Sequence, residues 1–222
     1  MANPCRTAME LLGMFIGTGG WFCSLAATLM PQWRSLSTEL LATESIEQGL
    51  WEDCVMQEVV GIECRPHDTI LGLDNTLTLA RFLMCLSNAA SLLGLLLAIP
   101  AMSQINCCKG EEGQSIKRGL KITAAVFLCI GGVLVLTSVS YVAYDIVQKF
   151  FDETIPHGVP RSEFGDALFV GWAAGFLETV AAALLFASSV GSRDREPRLV
   201  YHHQRQEIST VDGSIRKRTE YV

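Results

Sequence analysis

Trp33–Cys64 reads WRSLSTELLATESIEQGLWEDCVMQEVVGIEC. It is polar and acidic, holds two of the chain's four tryptophans, and contains one candidate disulfide pair, Cys54 and Cys64. Apolar sequence lies on both sides of it. Leu11–Met30 carries no charge over 20 residues and Phe82–Cys108 none over 27. Two more runs follow: Ile122–Val142 with no charge over 21 residues, and Ala167–Val190 with a single one, Glu178, over 24. A bilayer core about 30 Å thick takes about 20 helical residues, so each run is long enough to cross. In lipid a lone strand leaves its backbone groups unpaired, so each crossing must be a helix. Half of the 222 residues are hydrophobic and 18% are charged, a balance that suits a membrane protein better than a soluble domain of this size. The first run is longer than the core of a signal peptide, about 7–15 residues, and is read as a span.

Orientation follows from the basic residues. Arg6 precedes the first span. Lys109, Lys117, Arg118 and Lys121 lie between the second and third, and seven more basic residues follow Val190. These hold 12 of the 17 Lys and Arg residues, all on one side of a four-span chain, and the positive-inside rule makes that side cytoplasmic. The expected order is a cytoplasmic N-terminus (1–7), a first span (8–30), a large extracellular loop (31–80), a second span (81–102) and a cytoplasmic loop (103–120). A third span (121–143), a small extracellular loop (144–166), a fourth span (167–190) and a disordered cytoplasmic tail (191–222) complete it. The net charge of −6 comes mostly from outside. The large loop holds nine acids, among them Glu58, Glu63, Asp68 and Asp74.

Cys54 and Cys64 fall where conditions are oxidising. Linking them closes an 11-residue loop. Chain entropy then contributes about 2.5–3 kcal/mol. Val55, Val59, Val60 and Ile62 favour strands, and Gly61 between them suggests a hairpin inside the cysteine pair. Ile70, Leu71, Leu73 and Leu77 have the spacing of a short amphipathic helix leading into the second span. In the second loop Pro156, Gly158 and Pro160 indicate turns. Cys23, Cys85 and Cys129 read as small apolar residues of the spans. Cys107 and Cys108, at the inner end of the second span, are candidates for palmitoylation or an unmodified pair. Gly13, Gly17, Gly20, Gly171 and Gly175 allow close helix contact. Glu178 is costly in mid-span and is expected to be protonated, buried among helices, or bonded to a hydroxyl such as Thr137 or Ser138.

The arrangement of Trp33, Gly49-Leu50-Trp51, Cys54 and Cys64 between the first two of four spans resembles the claudin signature. Arg81 at the mouth of the second span fits, as do Phe150-Phe151, Arg161–Gly165, Ala167–Trp172 and the terminal Tyr221-Val222. The resemblance covers essentially the whole chain. It implies a left-handed four-helix bundle carrying an extracellular antiparallel sheet of five strands, four from the first loop and one from the second. It also implies a plasma-membrane protein of tight junctions that assembles with itself and other claudins, side by side and across the intercellular gap. Ile70, Phe150, Phe151 and Glu163 are the expected assembly contacts. Asp152-Glu153 departs from the family's usual Asn-Pro and leaves the second loop's conformation open. The residue after the second cysteine, Arg65, is the expected determinant of ion selectivity. A cation there repels Na⁺ or tightens a barrier, while Glu58, Glu63, Asp68 and the other acids favour a cation-selective pore. Glu63 and Arg65 share one face of an ideal strand, where they can pair. The terminal Tyr221-Val222 resembles a ligand for PDZ scaffolds of the zonula-occludens type.

Other functions fit less well. The sequence has no Cys-x-x-Cys and no triad, so catalysis is not expected. His67 and His157 are isolated loop histidines. No metal, cofactor or nucleic-acid partner is expected. Calcium-channel gamma subunits and epithelial membrane proteins share the Gly-Leu-Trp and cysteine pattern, but the second loop, Arg81 and the C-terminus favour a claudin.

Overall fold

The computed structural model describes residues 4–37, 44–57, 61–67, 74–102, 111–151 and 161–190. In order these form α1 (Pro4–Leu29), β1 (Arg34–Ser37), β2 (Glu44–Gln48), β3 (Glu52–Gln57), β4 (Gly61–Pro66), α2 (Asn75–Ala101), α3 (Glu111–Phe150), β5 (Arg161–Phe164) and α4 (Asp166–Val190). All four helices are long and apolar enough to cross a membrane. Each begins before its apolar run; α3 and α4 contain theirs whole, while α1 ends at Leu29 and α2 at Ala101, short of the ends of theirs. α3 is the extreme case, with 40 residues. At 1.5 Å per residue it is about 60 Å long, twice the bilayer core.

The five strands make one antiparallel sheet in the order β4-β3-β2-β1-β5. Four strands come from the first loop and one from the second, as the resemblance implies. Gly61 sits at the start of β4 with φ 93°, a backbone geometry that favours glycine at the β3–β4 hairpin. The rest of that turn, residues 58–60, lies outside the described residues, as does most of the expected short helix before Leu77.

The bundle packs around two apolar clusters. One lies nearer the sheet and includes Ala27, Met84, Val135, Val139, Leu168 and Ala174. It continues into the sheet through Trp33 and Leu50, both fully buried. The other lies nearer the opposite end and includes Leu95, Leu128, Ala182 and Leu185. The glycines of α1 bring it against α4. A Cβ on Gly17 would stand 3.2 Å from the Ala181 Cβ, and one on Gly20 would stand 3.1 Å from the Glu178 Cγ. Large apolar side chains such as Phe15, Phe22 and Phe176 lie on the outside of the bundle, where lipid replaces water as the solvent.

Between the clusters is a polar layer. Glu178 is fully buried. Its partner is Ser91 of α2, whose hydroxyl donates to Oε2 at 2.6 Å. The hydroxyls expected on α3 are engaged elsewhere: Thr137 donates to the Val133 carbonyl one turn back, and Ser138 to the Ala80 carbonyl. The α3 backbone is bonded here too, since Ser87 donates to the Gly131 carbonyl at 2.8 Å.

Candidate functional site

The sheet is held on the bundle by the residues that make the sequence signature. A helix leaves its last four carbonyls without intrahelical donors. At the end of α1 two of these are capped by tryptophans. The Trp33 indole N–H donates to the Ala27 carbonyl at 2.9 Å, and the Trp51 indole N–H to the Thr28 carbonyl at 2.8 Å. Gly49 permits the close turn between the two tryptophans: a Cβ there would stand 2.5 Å from the Pro31 Cα. Leu50 fills the core, and its carbonyl accepts from Arg81 Nε. The Arg81 guanidinium lies over the Trp51 ring, 5.2 Å from its centroid, a cation–π contact. Trp33, Gly49, Leu50, Trp51 and Arg81 thus form one joint between sheet and bundle.

Gly165 closes the joint from the second loop. Its N–H donates to the Trp33 carbonyl at 3.3 Å, and a Cβ at this position would overlap the Gln32 carbonyl. The next helix begins with the Ala167 N–H donating to that Gln32 carbonyl at 3.0 Å.

A second clamp, not foreseen from the sequence, joins β1 to α2 and α3. Arg34 is buried at 5% exposure and donates to Asp74 Oδ2 at 2.9 Å and to Asp145 Oδ2 at 2.5 Å. Lys149 completes the cluster, 2.7 Å from Asp74 Oδ2 and 2.9 Å from Asp145 Oδ2. Burial works to raise the Asp74 pKa. The hydrogen bonds and charges of Lys149 and Arg34 outweigh it and hold Asp74 at about 2. The one available signal was an arginine directly after Trp33 in a loop of acids. Its partners are distant in sequence.

Cys54 and Cys64 are directly opposed in the β3–β4 register and are joined as a disulfide. Their Cα atoms are 4.1 Å apart. Glu52 lies beside them, all three ligand atoms falling within 4.8 Å. With both sulfurs bonded to each other, this group has no thiolate to offer a metal.

β4 is one edge of the sheet and is exposed along its whole length. Strand alternation puts Glu63 and Arg65 on the face opposite the disulfide. Arg65 is 80% exposed and Glu63 66%. They pair: Glu63 Oε1 accepts from Arg65 Nε at 3.2 Å and from Nη2 at 2.9 Å. That bond, chiefly, raises the Arg65 pKa, and an arginine is a permanent cation in any case. Asp53 of β3 is its cross-strand neighbour. Burial raises the Asp53 pKa, against the opposing charges of His67 and Arg81. His67, given no role above, stands 3.5 Å from the Asp53 carboxylate.

The remaining expected residues divide. Phe150 and Phe151 end α3, meet edge to face at 5.4 Å, and are exposed, Phe151 at 74%. Glu163 is exposed on β5, the other edge of the sheet. Glu58, Asp68, Ile70, Cys107, Cys108, Tyr221 and Val222 lie outside the described residues.

Comparison with known proteins agrees with this architecture. Residues 7–185 match the PMP-22/EMP/MP20/Claudin family. Claudin-1 of Rattus norvegicus is 32% identical over 191 residues, covering 85% of this chain and 88% of the relative. Claudin-3 of Rattus norvegicus is 30% identical over 219 residues, covering 96% and 98%. Claudin-9 of Homo sapiens is 34% identical over 171 residues, covering 76% and 77%. Four apolar helices, a five-stranded sheet seated by Trp33 and Gly49-Leu50-Trp51, and the Cys54–Cys64 disulfide place the chain in the PMP-22/EMP/MP20/Claudin family, as a multi-pass claudin-type membrane protein of the tight junction.

Proposed function

We propose that this chain builds a paracellular barrier that leans towards anions, with Arg65 as its selective charge. The observation that carries this reading is the position of Arg65: an always-charged group, 80% exposed, on the sheet edge strand beside the disulfide. In a narrow gap a fixed guanidinium raises the energy of Na⁺ and lowers that of Cl⁻. Glu63 favours the opposite reading, a cation pathway, because its carboxylate is also exposed, at 66%. Their mutual hydrogen bonds reconcile the two: a paired cation and anion give a weak net field, which suits a barrier more than a conducting pore.

The role is structural rather than catalytic. Assembly with copies of itself and with other claudins uses Phe150-Phe151 at the end of α3, Glu163 on the β5 edge and Ile70. Tyr221-Val222 binds PDZ scaffolds, and Cys107 and Cys108 are sites for acylation. Dilution potentials across epithelial layers test the selectivity. Arg65→Asp raises the Na⁺/Cl⁻ permeability ratio relative to wild type, and an unchanged ratio overturns the assignment. Freeze-fracture of cells lacking tight junctions tests the assembly. Continuous strands are expected, and their absence counts against it.

A further inference from the structure

We propose that His67 is a second determinant of selectivity, a proton acceptor whose charge adds to that of Arg65 and tilts the sheet face further towards anions as the extracellular solution is acidified. The inference rests on the reading of the β4 face as the selective surface. The β3–β4 pairing continues one step past Pro66, since the His67 N–H donates to the Trp51 carbonyl at 3.2 Å. Alternation therefore puts His67 on the same face as Glu63 and Arg65 and, across the pairing, as Asp53. A strand rises about 3.3 Å per residue, so His67 stands about 7 Å from Arg65 along the chain. That is within the Debye length of about 8 Å at physiological salt.

The His67 side chain is 14% exposed, and its Nε2 lies 3.5 Å from Asp53 Oδ1 and 3.4 Å from the Gly49 carbonyl oxygen. Both oxygens only accept, so Nε2 presents its hydrogen to them and Nδ1 is the atom that receives the added proton. Asp53 Oδ1 is shielded from solvent and makes no hydrogen bond of ordinary length, and a protonated imidazole is the stronger donor to it. Histidine ordinarily changes charge between pH 5 and 8. Among the described residues the other charged groups around it are Arg81 of α2, which acts on the same carboxylate, and Glu63 and Arg65 of β4. The Asp53 carboxylate attracts the imidazolium and the guanidinium groups repel it. With His67 neutral, the two carboxylates and two guanidinium groups of this set balance. With His67 protonated, the set carries one net positive charge.

The test is the Na⁺/Cl⁻ permeability ratio of epithelial layers expressing each variant, from dilution potentials with both bathing solutions at pH 7.5 and then at pH 5.5. A unit charge about 7 Å from an ion, in water and screened by salt, changes each permeability by about 1.5-fold in opposite senses. The wild-type ratio is therefore expected to fall on acidification about twofold more than the ratio of His67→Gln. His67→Lys, with a fixed cation in place of the imidazole, is expected to start at the lower ratio and to respond to pH no more than His67→Gln. Asp53→Asn removes the attracting carboxylate and is expected to move the midpoint of the response to lower pH. Surface biotinylation and freeze-fracture confirm that each variant is delivered and assembled, and His67→Lys still tests the site if His67→Gln is not. A wild-type ratio that falls no more than that of His67→Gln, or a full response retained in His67→Lys, overturns the proposal. Arg65→Gln at pH 7.5 separates it from the reading it rests on. If Arg65→Gln raises the ratio while wild type and His67→Gln respond alike to acid, Arg65 stands and His67 falls. If Arg65→Gln leaves the ratio unchanged and only wild type responds, His67 stands and Arg65 falls.

Discussion

Trp33 and Trp51 allow the joint between sheet and bundle to be tested by one chemical change made twice. Each indole donates to a carbonyl at the end of α1, at 2.9 and 2.8 Å. Their burial differs: Trp33 is fully buried, while Trp51 is 42% exposed. Replacing either by Phe removes the donor and part of the ring. At position 33 the Ala27 carbonyl is left unpaired in a closed core, at a cost of about 1–3 kcal/mol. The space left by the smaller ring adds about 1 kcal/mol. Trp33→Phe is thus expected to cost about 3 kcal/mol, and Trp33→Ala about 3–5. At position 51 solvent can reach the freed carbonyl, and Phe still presents a face to Arg81, so Trp51→Phe costs about 1 kcal/mol. For a chain of this size 1 kcal/mol moves the melting temperature by about 2–4 °C. The assay is thermal unfolding of the detergent-purified protein followed by size-exclusion chromatography. Trp33→Phe is expected to lower the midpoint by about 6–12 °C and Trp51→Phe by about 2–4 °C. Equal shifts, or a larger shift for Trp51→Phe, refute the argument that burial of the indole sets the strength of the joint.

Two further outcomes follow from the sheet's attachments. Asp74 is held at about 2, below its ordinary value, so its contribution is full above the unfolded pKa of about 3.8 and is lost as pH falls through about 2. Its side chain is 37% exposed, and after allowing for screening Asp74→Asn is expected to cost about 1 kcal/mol at pH 7. Midpoints of wild type and Asp74→Asn should converge on acidification, and a gap that widens contradicts the cluster. Replacing both Cys54 and Cys64 with Ser reopens an 11-residue loop, and the expected loss is about 2.5–3 kcal/mol. Limited proteolysis of intact cells should then cut the first loop faster while the spans remain protected. Equal cleavage rates would show that the strand pairing does not depend on the link.

Much of this fold was legible because lipid restricts the options. Four apolar runs of sufficient length must be helices, and the distribution of Lys and Arg orients them. Helix ends were less legible. Asn75–Ala80 is helical although it precedes the apolar run, because its hydrogen bonding is shared with the turns that follow. β3 and β4 could be read from β-branched residues around Gly61. β1 and β2 could not, since Arg34–Ser37 and Glu44–Gln48 are short and polar and depend on their neighbours in the sheet. The clamp around Arg34 was hidden for a different reason: Asp74 lies 40 residues away and Asp145 lies 111 away. The sequence leaves open how Glu178 is accommodated in mid-span; α2 supplies a hydroxyl through Ser91 rather than α3, since periodicity does not say which helices meet at a given depth.

At the site, the cysteine pair and the tryptophans were legible as chemistry before their geometry was known. The structure adds that the signature residues build the seat of the sheet, whereas Arg65 is displayed on its β4 edge. The Glu63–Arg65 pair follows from strand alternation, and its two hydrogen bonds explain how a basic residue sits stably among acids.

The most direct measurement is the Na⁺/Cl⁻ permeability ratio of epithelial layers expressing Arg65→Gln and Glu63→Gln, each against wild type. Neutralising the cation should raise the ratio, and neutralising the carboxylate that offsets it should lower the ratio. The double variant should return close to wild type. Shifts in the same direction, or no shift in either variant, would contradict the claim that this pair on β4 sets the selectivity of the barrier.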